Sequence, residues 1–267
     1  MSARNIGSTL QALLDGVNLK RWDEAKKFIR STVVYNEHQV SNEDFVSHLA
    51  EDVEKRNITQ FRVDGVAIHS DGKSLGARRI TRTVDSDGKQ LEAWGLVLFV
   101  FDDEEKVSRY YSIEAPKALF PPVPSLPPIE QDASFGPLSA KEMSDAYHVY
   151  INSYNEGTMP TVIPQKWAET VVMNGKPQSR DLVPPFLERV LLPAIAGLKY
   201  KVEEMVTDVE KQQVFVRLSL EGVPENKNFQ KGADGKEKIK LYEHAMYGFL
   251  NGKIARVWAS QGFDMAF

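Results

Sequence analysis

Cysteine is absent from this 267-residue sequence. Disulfides, thiolate nucleophiles and thiolate metal sites are therefore excluded, and the absence fits a cytoplasmic setting. Histidine is scarce as well: the 5 present are never spaced as H-x-x-x-H or H-x-H, so no metal site is expected. No stretch approaches the roughly 20 apolar residues needed to cross a bilayer. The opening MSARNIGSTLQALLDG lacks both a continuous apolar run and a small-residue cleavage site, so a secretory leader is not expected. A dominant charge is also missing. With 33 Lys and Arg against 37 Asp and Glu, the net charge of −4 gives no footprint for nucleic acid or an anionic membrane. Nor is there a Gly-rich phosphate cradle, a Ser nucleophile elbow or a basic–aromatic strip. What remains, 42% apolar and 26% charged residues, is the composition of a globular protein.

Proline is unevenly spread. Of the 14 prolines, 7 fall between Pro116 and Pro137, in PKALFPPVPSLPPIEQDASFGP. Such a segment cannot continue a helix or donate to a central ladder, so residues 116–137 read as an extended linker. Its apolar residues Leu119, Phe120, Val123, Leu126 and Ile129 predict that it lies across a domain surface.

The halves on either side, residues 1–115 and 138–267, read alike. Leu10, Leu13, Leu14, Val17, Trp22, Ala25 and Phe28 recur at helical spacing in the first. The second opens on a capping box, Ser139 to Glu142, followed by Met143, Ala146, Tyr147, Tyr150 and Tyr154. Thr32-Val33-Val34-Tyr35-Asn36 then matches Thr170-Val171-Val172-Met173-Asn174, with Ser41 opposite Ser179. Helical segments are expected at Glu43–Leu49 and Asp181–Leu191. Four strand-like runs close each half: Phe61–His69, Leu75–Val84, Ala93–Phe101 and Val107–Ile113 in one, Tyr200–Val206, Val214–Leu220, Leu241–Leu250 and Ile254–Ser260 in the other. The pattern predicts a tandem duplication of an α+β unit, each copy with N-terminal helices packed on a curved antiparallel sheet.

Two motifs carry a resemblance. Asp15-Gly-Val-Asn18 and Arg21-Trp22-Asp23-Glu24-Ala25, leading to Thr-Val-Val-Tyr35, resemble the opening of SnoaL-like polyketide cyclases of the nuclear-transport-factor-two-like superfamily. Phe249-Leu-Asn251-Gly252-Lys253-Ile254-Ala-Arg256-Val257-Trp258 resembles that family's closing hairpin. Arg256 and Val257 stand where the family often has Glu and His, and the first acid beyond the Trp is Asp264. The resemblance implies a cone-shaped fold with a pocket at its open end. It also implies pairing through the convex sheet face, here as an intrachain pseudo-dimer with further oligomerisation open.

Alternation along β-like Leu241–Phe249 puts Tyr242, His244 and Met246 on one face and Glu243, Ala245, Tyr247 and Phe249 on the other. If the first face lines the cone, His244 becomes a general acid or base, oriented by Asp264; otherwise His244 is inert at the pseudo-dimer interface. Tyr150, Tyr154, Trp167, Tyr242, Met246, Tyr247 and Trp258 are the candidate substrate-binding residues, set against the reading that aromatics at helical spacing are plain core. In the first half Tyr35, Glu37, His38, His69 and Trp94 are weaker candidates, and that half is expected to be a scaffold. Gly222–Glu237 is a long loop, an exposed connection or a lid. The expectation is a cofactor-free and metal-free cyclase or isomerase, acting on a hydrophobic polyketide- or terpenoid-type intermediate by cyclisation, isomerisation or dehydration. The alternative is a non-catalytic binding or docking module of the same fold.

Overall fold

The computed structural model describes residues 5–115, 123–126, 129, 131–132, 134–225 and 237–262. The chain divides into two compact units, Met1–Leu126 and Pro127–Phe267. Among the described residues no helix is long and apolar enough to cross a membrane.

The first unit runs α1 (Ile6–Asn18), α2 (Trp22–Lys26), β1 (Ile29–Tyr35), β2 (His38–Ser41), α3 (Asn42–Lys55), β3 (Ile58–Ile68), β4 (Ser74–Val84), β5 (Gln90–Phe101) and β6 (Val107–Glu114). The second runs α4 (Ala140–Glu156), α5 (Met159–Lys166), β7 (Trp167–Met173), β8 (Lys176–Ser179), β9 (Ile195–Asp208), β10 (Gln213–Pro224), β11 (Ile239–Leu250) and β12 (Lys253–Gly262). The helical segment expected at Asp181–Leu191 is broken into a 3-10 turn, a short α-turn and a π-turn between Arg180 and Leu191. Pro184 and Pro185 remove the backbone donors that a continuous helix there would need.

The duplication is explicit in the strand order. One sheet is ordered β2-β1-β6-β5-β4-β3, the other β8-β7-β12-β11-β10-β9, the same permutation shifted by one repeat. In each, the first long strand pairs parallel with the last and every other pairing is antiparallel. Bulges also recur, between Val100 and Phe101 in one sheet and between Gly248 and Phe249 in the other. Each extra residue bends and twists its strand, so the sheets curve around their helices.

The repeated Thr-Val-Val-x-Asn segment now has a physical basis. Asn36 and Asn174 sit at φ 43° and 48°, the left-handed region that asparagine tolerates better than most residues. From there each side chain reaches the last strand: Asn36 Oδ1 accepts from Ser112 N at 2.9 Å, and Asn174 Oδ1 accepts from Ala259 N at 2.9 Å. A second asparagine pair fastens helix to sheet. Asn18 Nδ2 donates to Phe61 O at 2.8 Å while Phe61 N donates back to Asn18 Oδ1 at 2.7 Å. Asn155 makes the same two bonds to Tyr200, at 2.9 and 2.8 Å.

Helix α4 starts as its sequence predicts. Ser139 Oγ accepts from Glu142 N, and Glu142 Oε2 accepts from Ser139 N at 2.8 Å. Its C-terminal Gly157 adopts φ 70°, the usual left-handed helix stop. Within β5, Val97, Phe99 and Phe101 join the core, while Leu96 and Leu98 are buried on the sheet's second face. Parts of the proline-rich stretch are seated on their own units. Val123 N donates to Glu92 Oε2 at 3.2 Å, and Asp132 N donates to Asn251 Oδ1 at 3.0 Å.

Replacing Asn155 by Ala leaves the Tyr200 amide and carbonyl without this partner. The expected cost is about 1–3 kcal/mol, read as a lower urea midpoint for the transition that reports the second unit. An unchanged midpoint would remove the anchoring role given to this side chain.

Candidate functional site

In the second unit, α4 turns one face onto the sheet because Met143, Tyr147, Tyr150 and Tyr154 recur three or four residues apart. The rings form a continuous lining. Tyr147 lies 4.9 Å from Tyr247 centroid to centroid, Tyr150 5.2 Å from Trp167 and 5.9 Å from Tyr247, and Tyr154 4.9 Å from Tyr200. The Tyr150 and Tyr154 hydroxyls are hydrogen-bonded to each other. Trp167 Nε1 is buried without a hydrogen-bond partner. The Tyr147 hydroxyl feels Tyr247 electrostatically but makes no well-formed hydrogen bond.

One acid belongs to this lining. Leu241, Ala245, Tyr247 and Phe249 of β11 all lie in the core, so Glu243, which shares their parity, points the same way. It is 8% exposed, and Gln261 Nε2 donates to its Oε2 at 2.7 Å. Removal from water disfavours the carboxylate, and this hydrogen bond only partly offsets it, so the Glu243 pKa is pushed up to about 7. Burial also keeps the phenols of Tyr147, Tyr150, Tyr154, Tyr200 and Tyr247 protonated, and a charge on Glu243 adds to that effect. The site therefore combines a carboxyl that changes charge near neutrality with phenols that stay as donors.

The structure decides between the two orientations left open for the Leu241–Phe249 strand. Tyr242, His244 and Met246 lie on the face turned away from the core, as does Trp258 of β12. His244 is 1% exposed, stands edge-on to Phe215 at 5.7 Å and is registered between Arg217 and Ser260. The Tyr242 ring lies under the Arg217 guanidinium at 3.8 Å. The physical reason is the period of two: both faces of this strand are rich in large residues, and a shift of one position exchanges them. Tyr150, Tyr154, Trp167 and Tyr247 do come together, whereas Asp264 and residues 226–236 of the long loop lie outside the described residues. Glu243 was the residue passed over. Its signal was present in the sequence, as the one acid within the Leu241–Phe249 alternation.

In the first unit, Tyr35 stacks on Tyr110 at 5.8 Å and its pKa is pushed up to about 12, mainly by burial. Glu37 and His38 sit at an exposed turn, and His69 pairs with Asp71 at 2.9 Å. Trp94 is buried outside the core cluster. Among the described residues no three His, Asp or Glu side chains gather as a metal site.

No protein-family model matches this chain, and no curated protein matches it. Solved structures do. The matches include SnoaL-like polyketide cyclases and a nuclear-transport-factor-two-like protein. A SnoaL-like polyketide cyclase from Agrobacterium tumefaciens is 24% identical, with 45% of this chain and 90% of that one covered at a TM-score of 0.39. A nuclear-transport-factor-two-like protein of unknown function from Exiguobacterium is 13% identical, with 41% and 99% covered at a TM-score of 0.35. A putative SnoaL-like polyketide cyclase from Jannaschia is 11% identical, with 51% and 90% covered at a TM-score of 0.36. Each match covers about half of this chain.

The raised pKa of Glu243 has a consequence for stability. Between its ordinary value of 4.5 and about 7, the folded state holds a proton that the unfolded state has released. Stability therefore falls as pH rises through that window, by roughly 3 kcal/mol at most, and levels off above it. Glu243→Gln, which mimics the neutral acid, is expected to unfold at a higher temperature than the parent at pH 8 and at a similar one at pH 5. A thermal melt series that shows the same difference at both pH values would contradict this account.

Proposed function

We propose that the second unit is a cofactor-independent cyclase or isomerase for an apolar, carbonyl-bearing intermediate of polyketide or terpenoid type. The observation that carries this reading is the Glu243 carboxyl, buried on the core face of β11 within a wall of tyrosines. A carboxylate poised near neutrality is suited to remove a proton from the carbon next to a carbonyl, because acid and base forms are both populated at working pH. A protonated phenol of the lining, Tyr147 or Tyr154, would donate to the oxygen on which negative charge develops. Returning the proton to a different carbon completes an isomerisation. Attack of the enolate carbon on a second carbonyl of the same molecule would form a new carbon–carbon bond as that carbonyl's π bond breaks, and the alkoxide so formed would take the proton back from Glu243 to complete a cyclisation. Tyr150, Trp167 and Tyr247 would hold the flat apolar body, and the dry surroundings strengthen each electrostatic contact. The substrate class comes from the motif resemblance to SnoaL-like cyclases, and the acid–base assignment from the residues themselves. His244 has no role in this scheme.

Deuterium incorporation into 1-tetralone in heavy water tests the central step without the natural substrate. The expected result is catalysed exchange at the carbon beside the carbonyl, with a rate that rises through about pH 7 as Glu243 ionises. Glu243→Gln should lower it roughly 100-fold or more, and His244→Gln should leave it within about twofold. Exchange at the parental rate in Glu243→Gln would refute the assignment. Binding of 1-tetralone without exchange would favour the non-catalytic reading.

A further inference from the structure

One segment of the second unit carries unexpected chemistry for its place in the fold. Ser179 matches Ser41 in the repeat, so the turns from Arg180 to Leu191 follow β8 as α3 follows β2. The match holds within the segment, because buried Phe45 of α3 corresponds to buried Val183. The outward side differs. In α3 it carries Asp44, His48 and Asp52, all polar. The matching positions of the second unit are Leu182, Phe186 and Val190, which are 59%, 56% and 52% exposed in the full chain. The fold therefore forms this element with polar groups outside, and nothing in its architecture requires apolar ones. Single exposed apolar residues are ordinary, but a row of them marks an interaction surface.

The row lies on one side of the segment. A step of four residues overshoots an α-turn of about 3.6 residues and falls short of the wider π-turn from Leu187 to Leu191. The two drifts offset, so Val190 returns towards the line of Leu182 and Phe186.

The flanking charges say what covers it. One position before each member of the row stand Asp181, Pro185 and Arg189, an acid at one end and a base at the other. The Asp181 side chain is 78% exposed and lies 3.7 Å from Arg180, while among the described residues Arg189 has no ion-pair partner. A two-fold axis near Phe186 lays the apolar row on its own copy in the opposite direction, Leu182 against the partner's Val190. The same axis brings Asp181 beside the partner's Arg189, and Arg189 beside the partner's Asp181. An anionic lipid surface fits less well, since Arg180 and Arg189 are balanced by Asp181 and Glu188.

We infer that the turns from Arg180 to Leu191 are a self-association surface, on which a second copy of this chain packs antiparallel about a two-fold axis near Phe186. Leu182, Phe186 and Val190 make the apolar contact, and the two Asp181–Arg189 pairs set the direction. This surface is built from connecting turns, unlike the sheet-face pairing that the family resemblance implies. It stands whether or not Glu243 is catalytic.

Three large side chains per copy make a small interface, so the dimer is weak, with a Kd on the order of 100 µM. Sedimentation equilibrium of the full chain between about 10 and 500 µM tests it, with a monomer–dimer equilibrium expected. Phe186→Asp, at an exposed position outside the core, should raise Kd about tenfold or more. Asp181→Arg and Arg189→Asp should each weaken the dimer roughly threefold or more, and their combination should restore the parental Kd within about twofold. A chain that stays monomeric throughout, or a dimer unchanged by Phe186→Asp, would overturn the inference. Failure of the combined variant to restore pairing would equally overturn the antiparallel arrangement. A monomer that floats with phosphatidylglycerol vesicles, and ceases to do so as Phe186→Asp, would assign the row to a lipid surface instead.

Discussion

In each unit one asparagine side chain ties the end of a helix to the backbone of the outermost long strand. Asn18 holds Phe61 and Asn155 holds Tyr200, each through a donated and an accepted bond. Apolar packing brings α1 and α4 onto their sheets but is non-directional, so it does not by itself set where along the strand a helix lands. The paired amide bonds do, because they require both distance and direction. Once Asn155 is fixed, Tyr154 must meet Tyr200, and Tyr150 and Tyr147 follow along the same helix face to Trp167 and Tyr247. The tyrosine lining is thus a consequence of that anchor.

On this common frame the two units place an acid on neighbouring strands. Glu243 stands opposite Gln261 in the second sheet, and Gly95 stands opposite Glu114 in the corresponding place of the first. Leu218 faces Glu243 where Arg79 faces Gly95. The acid has moved by one strand, and its partner has changed from a neutral amide to two guanidinium groups. Burial alone would raise both carboxyls. Arg79 and Arg56 reverse that for Glu114 and hold it below the ordinary carboxylate range, whereas Gln261 leaves Glu243 near 7. Partner identity, more than depth, separates a structural carboxylate from one able to exchange a proton.

The same contrast explains the two kinds of interior. The second unit fills its space with phenol and indole rings, two of them with a polar atom lacking a well-formed hydrogen bond at Tyr147 and Trp167. The first unit packs its interior with aliphatic side chains and phenylalanines beside Arg79 and Tyr110. Duplicated scaffolds keep their backbone constraints because many strands depend on them, while residues facing the interior can change one at a time.

The tandem architecture, the strands and the capped helix α4 were legible in the residues, because each is a local pattern: alternation, helical spacing, Ser139 three residues before Glu142, a repeated Thr-Val-Val-x-Asn. The role of Asn36 and Asn174 was visible as a repeat, though its reason, a left-handed turn bonded to the last strand, was not. The inward face of β11 was left to the tertiary structure. Alternation separates Glu243 from His244 but gives no sign to either face when both carry large residues. Pairings such as Arg79 with Glu114 were likewise beyond the sequence, since residues 35 apart meet only after β4, β5 and β6 have aligned. Local chemistry set the elements, and the registry of curved sheets against anchored helices decided which side chains share an interior.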